Sequence, residues 1–372
     1  MDANHVGTAR RWQRLSKLLP LLLGLAILMV GIVISSWFAH QTKQQQLFET
    51  EQQLKTVTQE LARETRFRFQ LYQYGLRGLR GHVLTAGESL NAESIRRYHS
   101  TRNIDSEFPG AHGFGFIRRV ADGQLTDFVQ SHQERDQSSI EIKQLSPHHA
   151  EHFIIEYIEP LAKNAPAQGL DIGSEPNRRQ AAIRALESGE PQLTAPITLV
   201  QAMGKPQRGF LMLMPIYQSW ATPASVPERW QQAIGWSYAP LIIDEILTPL
   251  AFSRSSLGVR LQDITDETPL EFYRQTMDHP ITLQQTETLQ VFGRVWQLDI
   301  QAYPEFFHQM HSVQSSHVLS LGLFFSGLAA ILAVTIVSFW QTRTEAFNRR
   351  ELLATIVDTA QDAIIGQDLQ GR

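Results

Sequence analysis

Two runs without a single charged residue, Leu18 to Phe38 and Val318 to Trp340, stand at either end of a long polar stretch. Each reaches the length of about 20 residues that a helix needs to cross a hydrocarbon core of ~30 Å, so the pattern predicts two membrane-spanning helices. No small-residue cleavage site follows the first run, which closes on Trp37 and Phe38, so it is expected to stay as an anchor rather than to be removed as a signal peptide. Arg10, Arg11, Arg14 and Lys17 precede the first run, and Arg343, Arg349 and Arg350 follow the second. This distribution predicts cytoplasmic ends and an exported middle, roughly His40 to His317.

The segment from His40 to about Tyr74 has no Gly or Pro and repeats Leu47, Leu54 and Leu61 every seven residues, with a mixed second seam at Thr50, Val57, Glu64 and Leu71. It reads as a helical stalk, paired with its copy in a dimer or packed on its own domain. Beyond Gly87 the period shortens. His112 to Val120, Phe153 to Ile158, Gln192 to Val200 and Arg208 to Tyr217 read as strands, the last two joined by a turn at Met203 to Pro206. Between them, Ser174 is placed to cap a helix carrying Ala181, Ala182, Ala185 and Leu186 and ending at Gly189. A Pro-rich break at Pro223 to Pro227 suggests a second α+β group: strands at Ala233 to Tyr238, Gly258 to Asp263 and Phe292 to Ala302, with a helix around Leu241 to Leu250. After the second apolar run, 341–357 reads as a charged helical connector.

Charge narrows the classes. With 33 basic and 37 acidic side chains the chain has no electrostatic footprint for nucleic acid. It has no cysteine, which excludes disulfide scaffolds and Cys-based zinc or redox chemistry, so the exported part is held by its core alone. No cofactor is indicated.

The run Phe108 to Phe116, then Tyr157-Ile-Glu-Pro160, Leu170-Asp-Ile-Gly-Ser174 with Arg178 and Arg179, and Leu193 to Leu199 followed by Gly209 to Tyr217, resembles the CHASE domain family. That family comprises extracytoplasmic sensors of histidine kinases, diguanylate cyclases and related receptors. The resemblance implies an α+β fold in which two transmembrane helices flank an extracytoplasmic helical stalk and two PAS-like subdomains of antiparallel sheet. The division it suggests is a cytoplasmic N-terminus at 1–17, a span at 18–38, the stalk at 39–98, a membrane-distal ligand-binding subdomain at 99–222, a membrane-proximal one at 223–316, a span at 318–340, a linker helix at 341–357 and, at 358–372, a segment that looks like the opening of a cytoplasmic PAS domain. In cytokinin-binding members the aspartate of the block that reads Leu170-Asp171 here bonds the ligand, and the block that reads Leu193-Thr194 offers backbone groups. Asp171, Leu193 and Thr194 are carried over on that basis, with Phe114, Met212 and Met214 as pocket-lining residues or ordinary core. Where the plant proteins continue Met-Met-Ser-Gly, this chain has Ile172-Gly-Ser-Glu175.

Two motifs compete with this reading. His148-His149-Ala-Glu151-His152 has the H-x-x-E-H spacing of inverted zinc peptidases. That chemistry needs a helical turn to bring the two imidazoles together, whereas Pro147 precedes the motif and a strand follows it, so a solvated loop is expected and no metal ligands are assigned. Gly75, Gly78 and Gly81 with Arg77 and Arg80 lack the Lys-Ser/Thr ending of a phosphate cradle, and close packing of the stalk helix is the expectation there. The reading as a whole is an inner-membrane, two-pass, homodimeric sensor with no catalytic residues of its own. It takes a small-molecule ligand in the periplasm and forms the input half of a histidine kinase. Input to a diguanylate cyclase or phosphodiesterase, or a membrane-anchored protein-interaction module, are the alternatives.

Overall fold

The structure, a computed structural model, describes residues 3–199, 208–247, 256–276, 279–310 and 315–359. The chain separates into two compact units, one drawn from Met1–Glu49 and His311–Arg372, the other from Thr50–Met310.

The first unit is helical. Helix α1, Ala3–Ala86, is unbroken and contributes its first half here. The helix at the other end of the chain, Ser315–Thr359, contains both the second apolar run and the expected linker without interruption. Both are long and apolar enough to cross a membrane. Their apolar residues point outward, with Leu21, Leu25, Val33 and Ile331 all exposed, an arrangement suited to hydrocarbon rather than water. The two helices meet through small residues. A Cβ at Gly31 would overlap Ser326, one at Gly322 would overlap Ser35, and one at Gly24 would overlap Val334 beside the Ala330 carbonyl. Ser35 and Ser326 donate their hydroxyls to the carbonyls of Gly31 and Gly322, four residues back in their own helices (2.7 and 2.6 Å), so close approach leaves neither hydroxyl unpaired. Apart from Asp358 and Thr359, the expected PAS opening lies outside the described residues.

The second unit begins with the rest of α1 and continues through α2 (Ala92–Ser100) and α3 (Ile104–Glu107) to β1 (Phe114–Val120). Next come α4 (Leu125–Asp136), β2 (Lys143–Gln144), β3 (His152–Glu159), α5 (Leu161–Asn164), β4 (Leu170–Asp171) and α6 (Pro176–Ser188). Then follow β5 (Gln192–Leu193), β6 (Ile197–Thr198), β7 (Arg208–Tyr217), α7 (Val226–Gln232), β8 (Ala233–Ile242) and α8 (Ile243–Leu247). The unit ends with β9 (Leu257–Asp263), β10 (Leu270–Gln275), β11 (Leu283–Val291), β12 (Arg294–Ala302) and α9 (Pro304–Met310), after which α10 is the Ser315–Thr359 helix.

The strands form two sheets. The larger has the order β2-β4-β3-β1-β8-β7-β5, with β6 also on β7; the smaller is β10-β9-β12-β11. All pairings are antiparallel except β2 with β4. Residue alternation along β7 supplies both faces of the larger sheet. Phe210, Met212, Met214 and Ile216 face α1, where Phe69, Tyr72, Leu76 and Leu79 are fully buried, while Leu211 and Leu213 face Ala181, Ala182 and Ala185 of α6. Phe69 also packs edge-on to Trp296 of the smaller sheet at 5.0 Å, and Trp296 stacks on Phe210 at 5.1 Å, so one helix joins both sheets in a shared core.

Four expectations change. The break at 223–227 is not a boundary between sheets, because α7 returns the chain to β8, which lies in the middle of the larger sheet between β1 and β7. Helix α6 is capped by Glu175, whose carboxylate accepts from the amides of Asn177 and Arg178 at 3.0 Å each; Ser174 instead donates to the Asp171 carbonyl and accepts from the Leu145 amide. The strand expected over 192–200 is split into β5 and β6 around Ala195 and Pro196, and Val200 and the turn at 203–206 lie outside the described residues. Finally, 241–242 end a strand and the helix starts only at Ile243, while 248–250 are again outside the described residues. Two of the three stalk glycines behave as packing sites, since a Cβ at Gly75 would strike the Phe114 ring and one at Gly78 the Tyr98 hydroxyl, whereas Gly81 has no neighbour within 4 Å.

Candidate functional site

The larger sheet does not bring the six expected ligand residues together. Asp171 on β4 and Leu193 on β5 lie near opposite ends of it, with β3, β1, β8 and β7 between, or about 24 Å across the sheet at ordinary strand spacing. Phe114, Leu193, Met212 and Met214 share the fully buried core against α1. The Leu193 amide, expected to face a ligand, donates to the Phe292 carbonyl at 2.9 Å. Thr194 is locked to β7, its hydroxyl accepting from the Leu211 amide at 3.0 Å while its own amide donates to the Leu211 carbonyl.

Asp171 is completely buried and fully engaged. Its Oδ1 accepts from the amides of Phe153 and Gly173, both at 2.9 Å, and its Oδ2 lies 2.8 Å from His148 Nε2 and 2.7 Å from His152 Nδ1. Burial alone would raise this carboxyl, but the Phe153 amide and the two imidazoles outweigh it and hold Asp171 below the usual aspartate range. The peptidase reading of 148–152 fails on geometry. His148 is in a loop and His152 opens β3, and Glu151, the would-be base, is clasped by Arg119, Nη2 to Oε1 at 2.6 Å and Nε to Oε2 at 3.0 Å. The solvated-loop reading is also incomplete, because Asp171 draws the two imidazoles to within 4.8 Å of ring-centroid separation.

A different concavity lies between α2, α3 and the end of β3. This cleft of about 500 Å³ is lined by Arg96, His99, Arg102, Lys163, Asp105 and Glu159, among others. Arg96 reaches Glu159, Lys163 reaches Asp105 and Arg102 reaches Glu107, each at 3.6 Å, longer than a good hydrogen bond, while Arg96 is also held by Glu93 at 3.1 Å. Arg102 lies over the rings of Tyr98 and Phe108 at 5.5 and 5.6 Å, which fixes the direction of its guanidinium. His99, 7% exposed, bonds the Phe114 carbonyl through Nε2, and its buried Nδ1 has no protein partner. Sequence reasoning missed all of these except Phe114, which contributes its carbonyl. The available signal was the pair Arg96 and Arg97 on a short amphipathic helix with Arg102 just past its end, and that spacing is equally a solvated face.

Helix α2 is itself anchored to a buried ionic cluster. Glu156 on β3, fully buried, accepts from Arg118 Nε at 2.7 Å and from Arg135 Nη2, with His132 Nδ1 at 3.6 Å from Oε1. Burial opposes its charge, but His132, Arg118 and Arg135 together hold its carboxyl below the usual range. Next to it, Asp136 accepts from the Tyr157 hydroxyl at 2.7 Å and from the Ala92 amide at 2.6 Å, tying the first turn of α2 to the end of α4.

The CHASE domain profile matches residues 88–273, half of the chain, from the end of α1 through β10. The chain belongs to the CHASE domain family. The larger sheet with its bounding helices is thus the greater part of its CHASE domain. No curated protein matches the sequence. Among solved structures, the periplasmic sensory domain of the Campylobacter jejuni chemoreceptor Tlp1 is similar at 12% identity and a TM-score of 0.46, over 71% of this chain and 98% of that one. An extracellular ligand-binding receptor from Desulfohalobium retbaense is similar at 11% identity and a TM-score of 0.43, over 67% of this chain, which spans 40% of the receptor's length. The sensory domain of C. jejuni Tlp3, solved with isoleucine bound, is similar at 10% identity and a TM-score of 0.36, over 71% of this chain and 97% of that one.

Proposed function

We propose that this chain is the sensory part of a two-pass receptor of the inner membrane, binding a small molecule outside the cytoplasm and passing the signal through paired subunits to a histidine-kinase output. The observation that carries this reading is a CHASE domain lying, in sequence, between two helices long and apolar enough to cross a membrane. The basic residues before Leu18 and after Trp340 support cytoplasmic ends. The same input could drive a diguanylate cyclase or phosphodiesterase; the histidine kinase is the output adopted here.

The ligand site we assign is the cleft between α2 and α3. Asp171 has every acceptor position taken, whereas the cleft presents Arg102 and Lys163 in long, exchangeable ion pairs with Arg96 beside them, the chemistry that would seat a small molecule bearing a carboxylate. The test is a thermal-shift screen of the whole chain in detergent against amino acids, organic acids and adenine derivatives, with Arg102→Ala and Asp171→Asn in parallel. A ligand at a hundred times its dissociation constant adds about 2.7 kcal/mol, roughly 5 °C for a unit of this size. A hit abolished by Arg102→Ala and kept by Asp171→Asn supports the cleft. The reverse pattern moves the ligand to Asp171, and no hit in a well-folded chain turns the reading toward a protein partner.

A further inference from the structure

We propose that His148, His152 and Asp171 form a binding site for a divalent transition-metal ion of zinc type, separate from the ligand cleft and independent of the receptor reading. The three candidate donor atoms, His148 Nε2, His152 Nδ1 and Asp171 Oδ2, lie within 4.8 Å of one another. Two imidazoles and one carboxylate are a donor set that suits zinc, and three protein ligands leave a fourth position open. Donors at about 2.0 Å from a tetrahedral ion stand roughly 3.3 Å apart. The separations of 2.8 and 2.7 Å to Oδ2 therefore need to widen by about half an ångström, and the two ring nitrogens, up to 4.8 Å apart, need to close in by about 1.5 Å, a movement that falls to the loop residue His148.

The surroundings hold the carboxylate for this task. Oδ1 is fixed by the Phe153 and Gly173 amides, which leaves Oδ2 to the two rings, the backbone support that orients a metal-binding carboxylate. The proton balance follows from the rings. An imidazole that donates to Oδ2 carries a proton on the nitrogen facing it. Ligation requires that nitrogen bare, so the proton moves to the other side of each ring. For His152 the receiving nitrogen is Nε2, 3.8 Å from Asp122 Oδ1, an acceptor already in place. For His148 it is Nδ1, which now accepts from the Ala150 amide at 3.2 Å. A proton there expels that amide, so metal binding rearranges residues 148–150 at the lip of a groove of about 800 Å³ beside α6. His148 is half-buried and in a loop, so an ion has access and the ring has room to turn.

The experiment is zinc titration of the whole chain in detergent by calorimetry, with cobalt substitution read by visible absorption. The expected result is one ion per chain in the wild type. His148→Ala, in the loop, should weaken binding by more than the roughly hundredfold upper end of the loss typical of a supporting partner. Asp171→Asn should do the same, while His149→Ala, on an exposed neighbour, should leave the affinity unchanged. No binding at millimolar zinc, or equal binding by wild type and His148→Ala, would overturn the assignment.

Discussion

His99 bonds the main-chain carbonyl of Phe114 through Nε2 at 2.9 Å, and this contact holds the ring where burial strips it of water. Desolvation, opposed by the Phe114 carbonyl and reinforced by the charges of Arg102 and His82, lowers its pKa from 6.5 to about 4. The unfolded chain therefore takes up the proton first as pH falls. The stability that rests on neutral His99 is complete above pH 6.5 and declines as pH drops through the window from 6.5 to about 4. Urea unfolding at pH 7 and pH 4.5 should show a loss of about 2 to 3 kcal/mol in the wild type that is absent in His99→Gln. Equal losses in both proteins would assign the pH effect to other groups.

Glu156 neutralises two guanidinium groups from a position with no solvent access. Glu156→Ala should destabilise the chain by roughly 3 kcal/mol, the low end for breaking a buried pair, because Arg118 and Arg135 keep partial contact with water. Glu156→Gln, which retains an acceptor, should lose less. Chemical denaturation of the three proteins measures both differences.

The small-residue contact between the two long helices permits a test in the intact membrane, where the absence of native cysteine gives a clean background. Ser35→Cys paired with Gly322→Cys should oxidise within one chain, visible as a mobility shift on a denaturing gel. Adding Gly31→Leu should suppress that link by forcing the helices apart at Ser326.

The proposed subunit pairing along α1 can be tested by the same chemistry. Leu54, Val57 and Leu61 are buried in the chain's own core, whereas Phe67 and Tyr74, seven residues apart, are 61% and 60% exposed. Cysteine at position 67 or 74 should crosslink between copies of the chain, and cysteine at 54 or 61 should not. Crosslinking at 54 with none at 67 would reverse this assignment of faces.

The apolar runs, and the strands β1, β3, β7, β9 and β12, were legible because continuous or alternating apolar residues leave few other solutions. Strands β10 and β11 escaped notice because they are the two edges of the smaller sheet, and seven of the nine residues of β11 are not fully buried. The place of β8 was hidden for a different reason. Pro223 and Pro227 mark a turn, and nothing local distinguishes a turn that leaves a sheet from one that returns to it.

The site residues show the same limit. A leucine heptad identifies an apolar face but not what covers it, and here the cover is the chain's own core. His148 and His152 belong to no shared helix or strand; what unites them is a carboxylate that the sequence places nineteen residues beyond His152. Asp171 stood out in the sequence, yet its four partners come from a loop, strand β3 and its own turn. Only the fold collects them.

The central place of β8 also sets an order of events for the nascent chain. Phe116 cannot complete its pairing until Ser237, more than a hundred residues later, has been made. Until then β1 has one open edge and β7 another, and both strands carry apolar residues that the finished fold buries. Contacts so distant in sequence form slowly, so this unit should assemble late and all at once, and it should depend on chaperones to keep those two edges from finding each other in neighbouring chains.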